Sequence, residues 1–170
     1  IGSSSKAFTG ISVLQQAEES VIDLDAPVLD YLPKFRMYDD YVTQHLSVRD
    51  LLCHRSGLPR HDLSWYGSAA SRAELLERLQ YLEPSAGFRE TFQYQNLMFM
   101  TAGYLVGQVA NSTWEQEVQQ RIFKPLGMEQ ANFDIGQMEK AEYAALPYQK
   151  TAAGEILKMP YRNINAIGSA

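Results

Sequence analysis

The sequence predicts a mostly α-helical protein. Three observations carry this: apolar residues recur at helical spacing in successive segments, Ser/Thr capping motifs open several of them, and the alternation expected of strands is nearly absent.

Taken in order, Ala7, Phe8, Ile11, Leu14 and Ala17 predict a helix over 6–19 with one buried apolar stripe and Ser3 at its N-terminal tip. Asp25 as cap and Pro27 in the first turn predict a short helix ending near Pro33. Residues 35–45 are polar, aromatic and aperiodic, and read as loop. Ser47 with Asp50 three residues on forms a capping box, opening a short buried helix through Leu51, Leu52, Cys53 and His54 that Gly57 stops before the Ser56-Gly57-Leu58-Pro59 turn. Residues 60–70 read as a loop whose Trp65 and Tyr66, with Phe92 further on, shape a cleft. Ser71 and Glu74 make a second capping box, for a helix through Leu75, Leu76 and Leu79 with a solvated charged face.

After the Pro84–Gly87 turn, 88–92 read as extended and Tyr94-Gln95-Asn96 as loop. Leu97, Met100, Thr101, Tyr104, Leu105 and Gln108 then follow a helical period, with Gly103 and Gly107 permitting close packing. Ser112 and Thr113 cap a further helix whose Val118, Ile122 and Phe123 face inward until Pro125-Leu126-Gly127-Met128. Beyond Asn132 periodicity fades, leaving loop with one or two short strands around 155–158.

At 170 residues, 45% hydrophobic and 21% charged, the chain is one domain's worth of ordinary globular composition. A net charge of -5 gives no basic footprint, which argues against nucleic acid or an anionic membrane as partner. No run of 18 apolar residues marks a membrane-spanning helix. Cys53 is the only cysteine, so neither an intramolecular disulfide nor a cysteine metal cluster can form. His54, beside it, and His61-Asp62 lack ligand spacing, and His54 reads as a structural histidine. Because the chain starts without Met and stops within a small-residue run, it is expected to be part of a longer one.

Two short constellations carry chemistry. Ser3 and Lys6 are three apart at a helix start and share a face, so the lysine can reach the serine hydroxyl. The positive end of the helix macrodipole disfavours the lysine's ammonium form, and the unpaired N–H groups there can receive an oxyanion. Tyr94 and Asn96, just before an apolar helix, offer a phenol to shuttle a proton and an amide to bind a substrate carbonyl or fix Lys6. Ser3 to Ser5 would serve equally well as helix caps, and Tyr94 and Asn96 as a loop's internal hydrogen bonds.

Their company separates these readings. Gly2-Ser3-Ser4-Ser5-Lys6-Ala7-Phe8-Thr9, Leu24-Asp25-Ala26-Pro27 with Tyr31-Leu32-Pro33, the stretch from Leu46 to Pro59, Tyr94-Gln95-Asn96 and Pro125-Leu126-Gly127-Met128 stand in one familiar order. The chain resembles the class C β-lactamase and penicillin-binding-protein-like serine hydrolases, a family that also holds D-aminopeptidases, D,D-carboxypeptidases and esterases. The resemblance implies the helical portion of an α+β β-lactamase/transpeptidase-like fold over 1–170, with the N- and C-terminal sheet strands absent from the chain. It implies an acyl-enzyme mechanism on amide, lactam or ester carbonyls: Ser3 as nucleophile, Lys6 and Tyr94 as the proton-handling pair, and Asn96 orienting substrate or Lys6. Small-molecule or peptide-like substrates, no cofactor or metal, and a periplasmic or extracellular setting follow from the same resemblance.

The chain departs from the family pattern in lacking the later Lys-Thr-Gly or His-x-Gly strand, which lines the site and donates a second oxyanion N–H. The 170 residues alone are therefore expected to turn over poorly or not at all. Phe8 and Ile11, without a sheet to cover them, are expected to stay exposed or to mediate self-association. The alternative is a non-catalytic relative that binds peptides or peptidoglycan pieces.

Overall fold

In the computed structural model, which describes residues 1–170, the elements run α1 (Ser5–Glu18), α2 (Val28–Tyr31), α3 (Asp40–His45), α4 (Val48–Leu51), α5 (Arg72–Arg78), α6 (Asn96–Val109), α7 (Trp114–Val118), α8 (Ile135–Lys140), β1 (Tyr148–Lys150) and β2 (Ile156–Lys158). Helix α6 is the axis of the molecule. Every residue from Asn96 to Gly103 is buried, as are Leu105, Val106 and Gly107, because α1, α2, α4, α5 and α7 pack around it. A helix apolar on all sides has no stable place except a core.

The predicted helical content holds, with corrections that are physically instructive. α1 does not bury the apolar stripe expected of it. Thr9, Ser12, Val13 and Gln16 face α6, while Ile11 and Leu14 stay 44% and 54% exposed. Hydrogen bonding makes that polar face buriable: Gln16 Nε2 donates to the Val106 carbonyl at 3.0 Å, Thr9 Oγ1 to the Ser169 carbonyl at 2.5 Å, and Ser12 Oγ to the Phe8 carbonyl at 2.9 Å. Of the stripe, Phe8 packs edge-on against Phe123 at 5.4 Å.

The stretch 40–45 is helix rather than loop, because the Asp39 carboxylate accepts from Tyr41 N–H and Val42 N–H. α8 likewise follows an Asp134 cap that accepts from Gln137 N–H. Pro27, not Asp25, is the N-cap of α2, and Asp25 instead pairs with both nitrogens of an Arg49 fork at 2.7 and 2.9 Å. The 88–92 segment is a turn, with Arg89 at φ +65°, not an extended run. The strand signal near 155–158 is one arm of a hairpin in which Tyr148 pairs with Lys158 and Lys150 with Ile156. Both capping boxes form as predicted.

α1 and α6 run side by side in the same direction, Lys6 beside Asn96 at one end and Gln16 beside Val106 at the other. Their contact positions the candidate site at the shared N-terminal end. Further along, a Cβ at Gly103 would lie 2.5 Å from the Ser169 side chain and 3.2 Å from Trp114 Cδ1. Gly103→Leu is therefore expected to destabilise the fold by about 1–3 kcal/mol through overpacking, a loss read as a lowered thermal midpoint.

The loop after α4 and the strap 85–95 are fastened together. Gln93 N–H donates to the His54 carbonyl at 2.7 Å, Arg89 N–H to that of Arg55 at 2.8 Å, and Ser85 N–H to that of Gly57 at 3.0 Å. Gly57, at φ +85° with the Ala86 carbonyl 2.5 Å from where its Cβ would be, is a position only glycine fills without strain. Beneath this seam lies the fully buried Asp50 carboxylate, which accepts from Ser47 N–H and Oγ, Arg55 Nε at 2.6 Å and Arg89 Nη2 at 2.6 Å.

Candidate active site

The four residues singled out from sequence converge. Ser3 sits in a 3₁₀ turn, Gly2–Ser4, that leads into α1, and Lys6 lies one turn on, so helical geometry alone brings Lys6 Nζ to 3.2 Å from Ser3 Oγ. Asn96 opens α6, and its Oδ1 accepts from Lys6 Nζ at 2.7 Å. The Tyr94 hydroxyl donates to Ser3 Oγ across ninety-one positions of sequence. Lys6 Nζ also stands 4.6 Å from the Tyr94 ring centroid and 5.3 Å from that of Phe99. The Ser3 N–H lies ahead of the first turn's hydrogen bond, which Ser4 N–H makes to the Ile1 carbonyl at 3.4 Å.

Burial pushes the Tyr94 phenol up, but the Lys6 ammonium, the Ser3 hydroxyl and the Arg60 charge together outweigh it and hold the phenol below its ordinary value. That shift favours the form able to take a proton.

His54 is the floor under this group. Its ring stacks on Tyr94 at 4.5 Å and 29°, lies 5.1 Å from Phe99, and meets Phe92 edge-on at 5.2 Å. Its Nδ1 accepts from Gln95 N–H at 3.0 Å, which puts the neutral ring's proton on Nε2. Burial first, then the nearby Lys6 charge, hold His54 below its ordinary value. The structural role expected of His54 has a specific content: it fixes the plane of Tyr94. Of the cleft aromatics, Phe92 reaches the site through His54, whereas Trp65 and Tyr66 pack edge to face on each other at 5.8 Å.

Two residues escaped the sequence reading. Gln95, fully buried between Tyr94 and Asn96, donates from Nε2 to the Pro59 carbonyl at 2.6 Å and accepts Leu97 N–H at 2.9 Å as the N-cap of α6. Its place directly before an apolar helix was the available signal. Arg60 holds its guanidinium carbon 5.2 Å from the Tyr94 ring centroid, and nothing in its sequence context announces that.

A family model described as Beta-lactamase matches residues 1–168. The unguisins hydrolase ungD' of Aspergillus campestris is 33% identical over 138 residues, covering 75% of this chain and 26% of that protein. Among solved structures, FmtA from Staphylococcus aureus superposes with a TM-score of 0.82 at 22% identity, covering 99% of this chain and 46% of that one. The D-stereospecific amidohydrolase from Streptomyces sp. does so with a TM-score of 0.76 at 23% identity, covering 99% and 54%. These superpositions establish the helix-rich arrangement of the β-lactamase/transpeptidase-like fold. The chain spans between 24% and 36% of the lengths of the curated relatives it matches.

Proposed function

The chain belongs to the beta-lactamase family, and from that membership we propose that it carries the nucleophile side of a serine hydrolase acting through an acyl-enzyme. The observation that carries this reading is the joint presence of Lys6 Nζ and the Tyr94 hydroxyl at hydrogen-bond range of Ser3 Oγ. A structural cap needs neither.

In the proposed sequence, Ser3 Oγ bonds to the carbonyl carbon of an amide, lactam or ester while the Ser3 proton passes to the Tyr94 phenolate oxygen. The carbonyl π pair moves onto oxygen, facing the Ser3 N–H. On collapse, the bond to the leaving nitrogen or oxygen breaks and Tyr94 returns the proton to it. Water then attacks the Ser3 ester while Tyr94 accepts its proton; the Ser3 Oγ–acyl bond breaks, Tyr94 returns that proton to Ser3 Oγ, and the carboxylic acid product leaves. Lys6 holds the phenolate charge and Ser3 Oγ, and the 2.7 Å bond to Asn96 fixes the Lys6 head. The ungD' name describes a hydrolase and the Streptomyces structure an amidohydrolase, which supports a carbonyl substrate of this class.

Incubating the protein with nitrophenyl acetate is expected to leave an acetyl group on the peptide containing Ser3, detected by mass spectrometry, and none in Ser3→Ala. If nitrophenol release and labelling are the same in Ser3→Ala, the nucleophile assignment fails. Noncovalent peptide binding that Ser3→Ala leaves intact, with no acylation in either protein, would point to the binding-module alternative.

A further inference from the structure

The geometry points to Arg60 as a positioning residue that holds the proton-accepting form of Tyr94 from the ring face, a role that rests on the reading of Tyr94 as the base. The arch from Pro59 to Asp62 delivers it. At its near end the buried Gln95 amide fixes the Pro59 carbonyl at 2.6 Å, so the residue between Tyr94 and Asn96 also sets where Arg60 begins. At its far end Arg60 Nε donates to Asp62 Oδ2 at 2.6 Å. Between them His61 adopts a left-handed conformation, φ +47°, with its Nε2 at 3.1 Å from the Glu83 carbonyl. A non-glycine residue in that region is sparsely populated and persists where its surroundings impose it. The result is a guanidinium 5.2 Å from the Tyr94 ring centroid.

The charged and titratable groups around Tyr94 come from three elements. Lys6 approaches from α1 at 4.6 Å from the ring centroid, and His54 stacks from the loop after α4 at 4.5 Å. Arg60 lies over the same ring from the Pro59–Asp62 arch, with Asp62 as its own partner. A phenolate spreads its charge into the ring, so a cation over the ring face stabilises that form over the neutral phenol. Lys6 is already committed to Asn96 and Ser3. Arg60 supplies a second positive charge without crowding the nucleophile.

The test is an ultraviolet difference titration of the phenolate, full chain minus Tyr94→Phe, repeated with Arg60→Gln and Arg60→Lys in both backgrounds. A unit charge at this distance in a water-like medium is worth about half a pH unit. Arg60→Gln is expected to raise the Tyr94 midpoint by about that much, and Arg60→Lys to restore most of it. The acid limb of the nitrophenyl acetate acylation profile is expected to move up by the same amount. An unchanged Tyr94 midpoint in Arg60→Gln, with native circular dichroism, overturns the proposal. If the base reading itself is wrong, Tyr94→Phe acylates at the unmodified rate while the titration still reports the effect of Arg60, so the two failures are distinguishable.

Discussion

Lys6→Met is expected to slow acylation of Ser3 by about 10²–10³, the range typical of losing a positioned donor that stabilises developing charge. Methionine keeps the length and apolar body of the side chain but removes the head that lies 3.2 Å from Ser3 Oγ and 2.7 Å from Asn96 Oδ1. Asn96 Oδ1, buried at the start of α6, loses that donor, so a small loss of stability accompanies the kinetic effect. Burst kinetics with a nitrophenyl ester separate the two, because a folded variant with an unchanged acylation rate would remove Lys6 from the chemistry. Lys6→Arg is not expected to rescue. Its planar fork cannot occupy the compact position between Ser3 and Asn96.

The largest structural effect is expected at Asp50. Removing its carboxylate in Asp50→Ala leaves Arg55 and Arg89 without their shared buried partner and Ser47 without its capping-box acceptor. The two arginines left behind are 37% and 44% exposed and can be hydrated, so the cost comes from the lost charge-assisted hydrogen bonds and capping box and is expected to be about 2–3 kcal/mol. Urea unfolding should show the loss, and Asp50→Asn should recover only part of it, because an amide can accept from Ser47 but not balance two guanidinium groups.

The same residue sets an acid limit. Burial pushes the Asp50 carboxyl up, but hydrogen bonds from Arg89, from the Ser47 N–H and hydroxyl, and from Arg55 outweigh it and bring it from the ordinary 3.8 down to about 2. Because the folded value lies below the unfolded one, the stabilisation is complete above about pH 4 and is lost as pH falls from there towards 2. It amounts to about 2 kcal/mol. Asp50→Asn should flatten the stability profile across that window. Since Asp50 clamps the loop carrying His54 to the strap carrying Tyr94, acid loosening at this point is expected to reach the site as well.

Ser3 with Lys6, and Tyr94 with Asn96, were each legible as a local pair, while the order of motifs shared with the family the chain resembles is what joined the two pairs into one site. Ser3 and Lys6 share a helix face by spacing, and Tyr94 and Asn96 stand at the start of a helix whose apolar run is unmistakable. The two capping boxes were readable for the same reason, each being closed within four residues. The short helices α3 and α8 were not, since each rests on one aspartate cap and buries too little to show a period.

Residue order alone gives the helical class, the apolar helix that follows Asn96 and two chemically distinctive pairs, Ser3 with Lys6 and Tyr94 with Asn96. Tertiary structure alone decided which face of α1 goes inward, because a buried Gln16 or Thr9 is stable only with the Val106 and Ser169 carbonyls in reach. It alone decided, too, that Gln95 would fasten Pro59 and so carry Arg60 over Tyr94. Both are contacts between residues more than thirty positions apart, and no local periodicity encodes a partner that only the folded chain brings near.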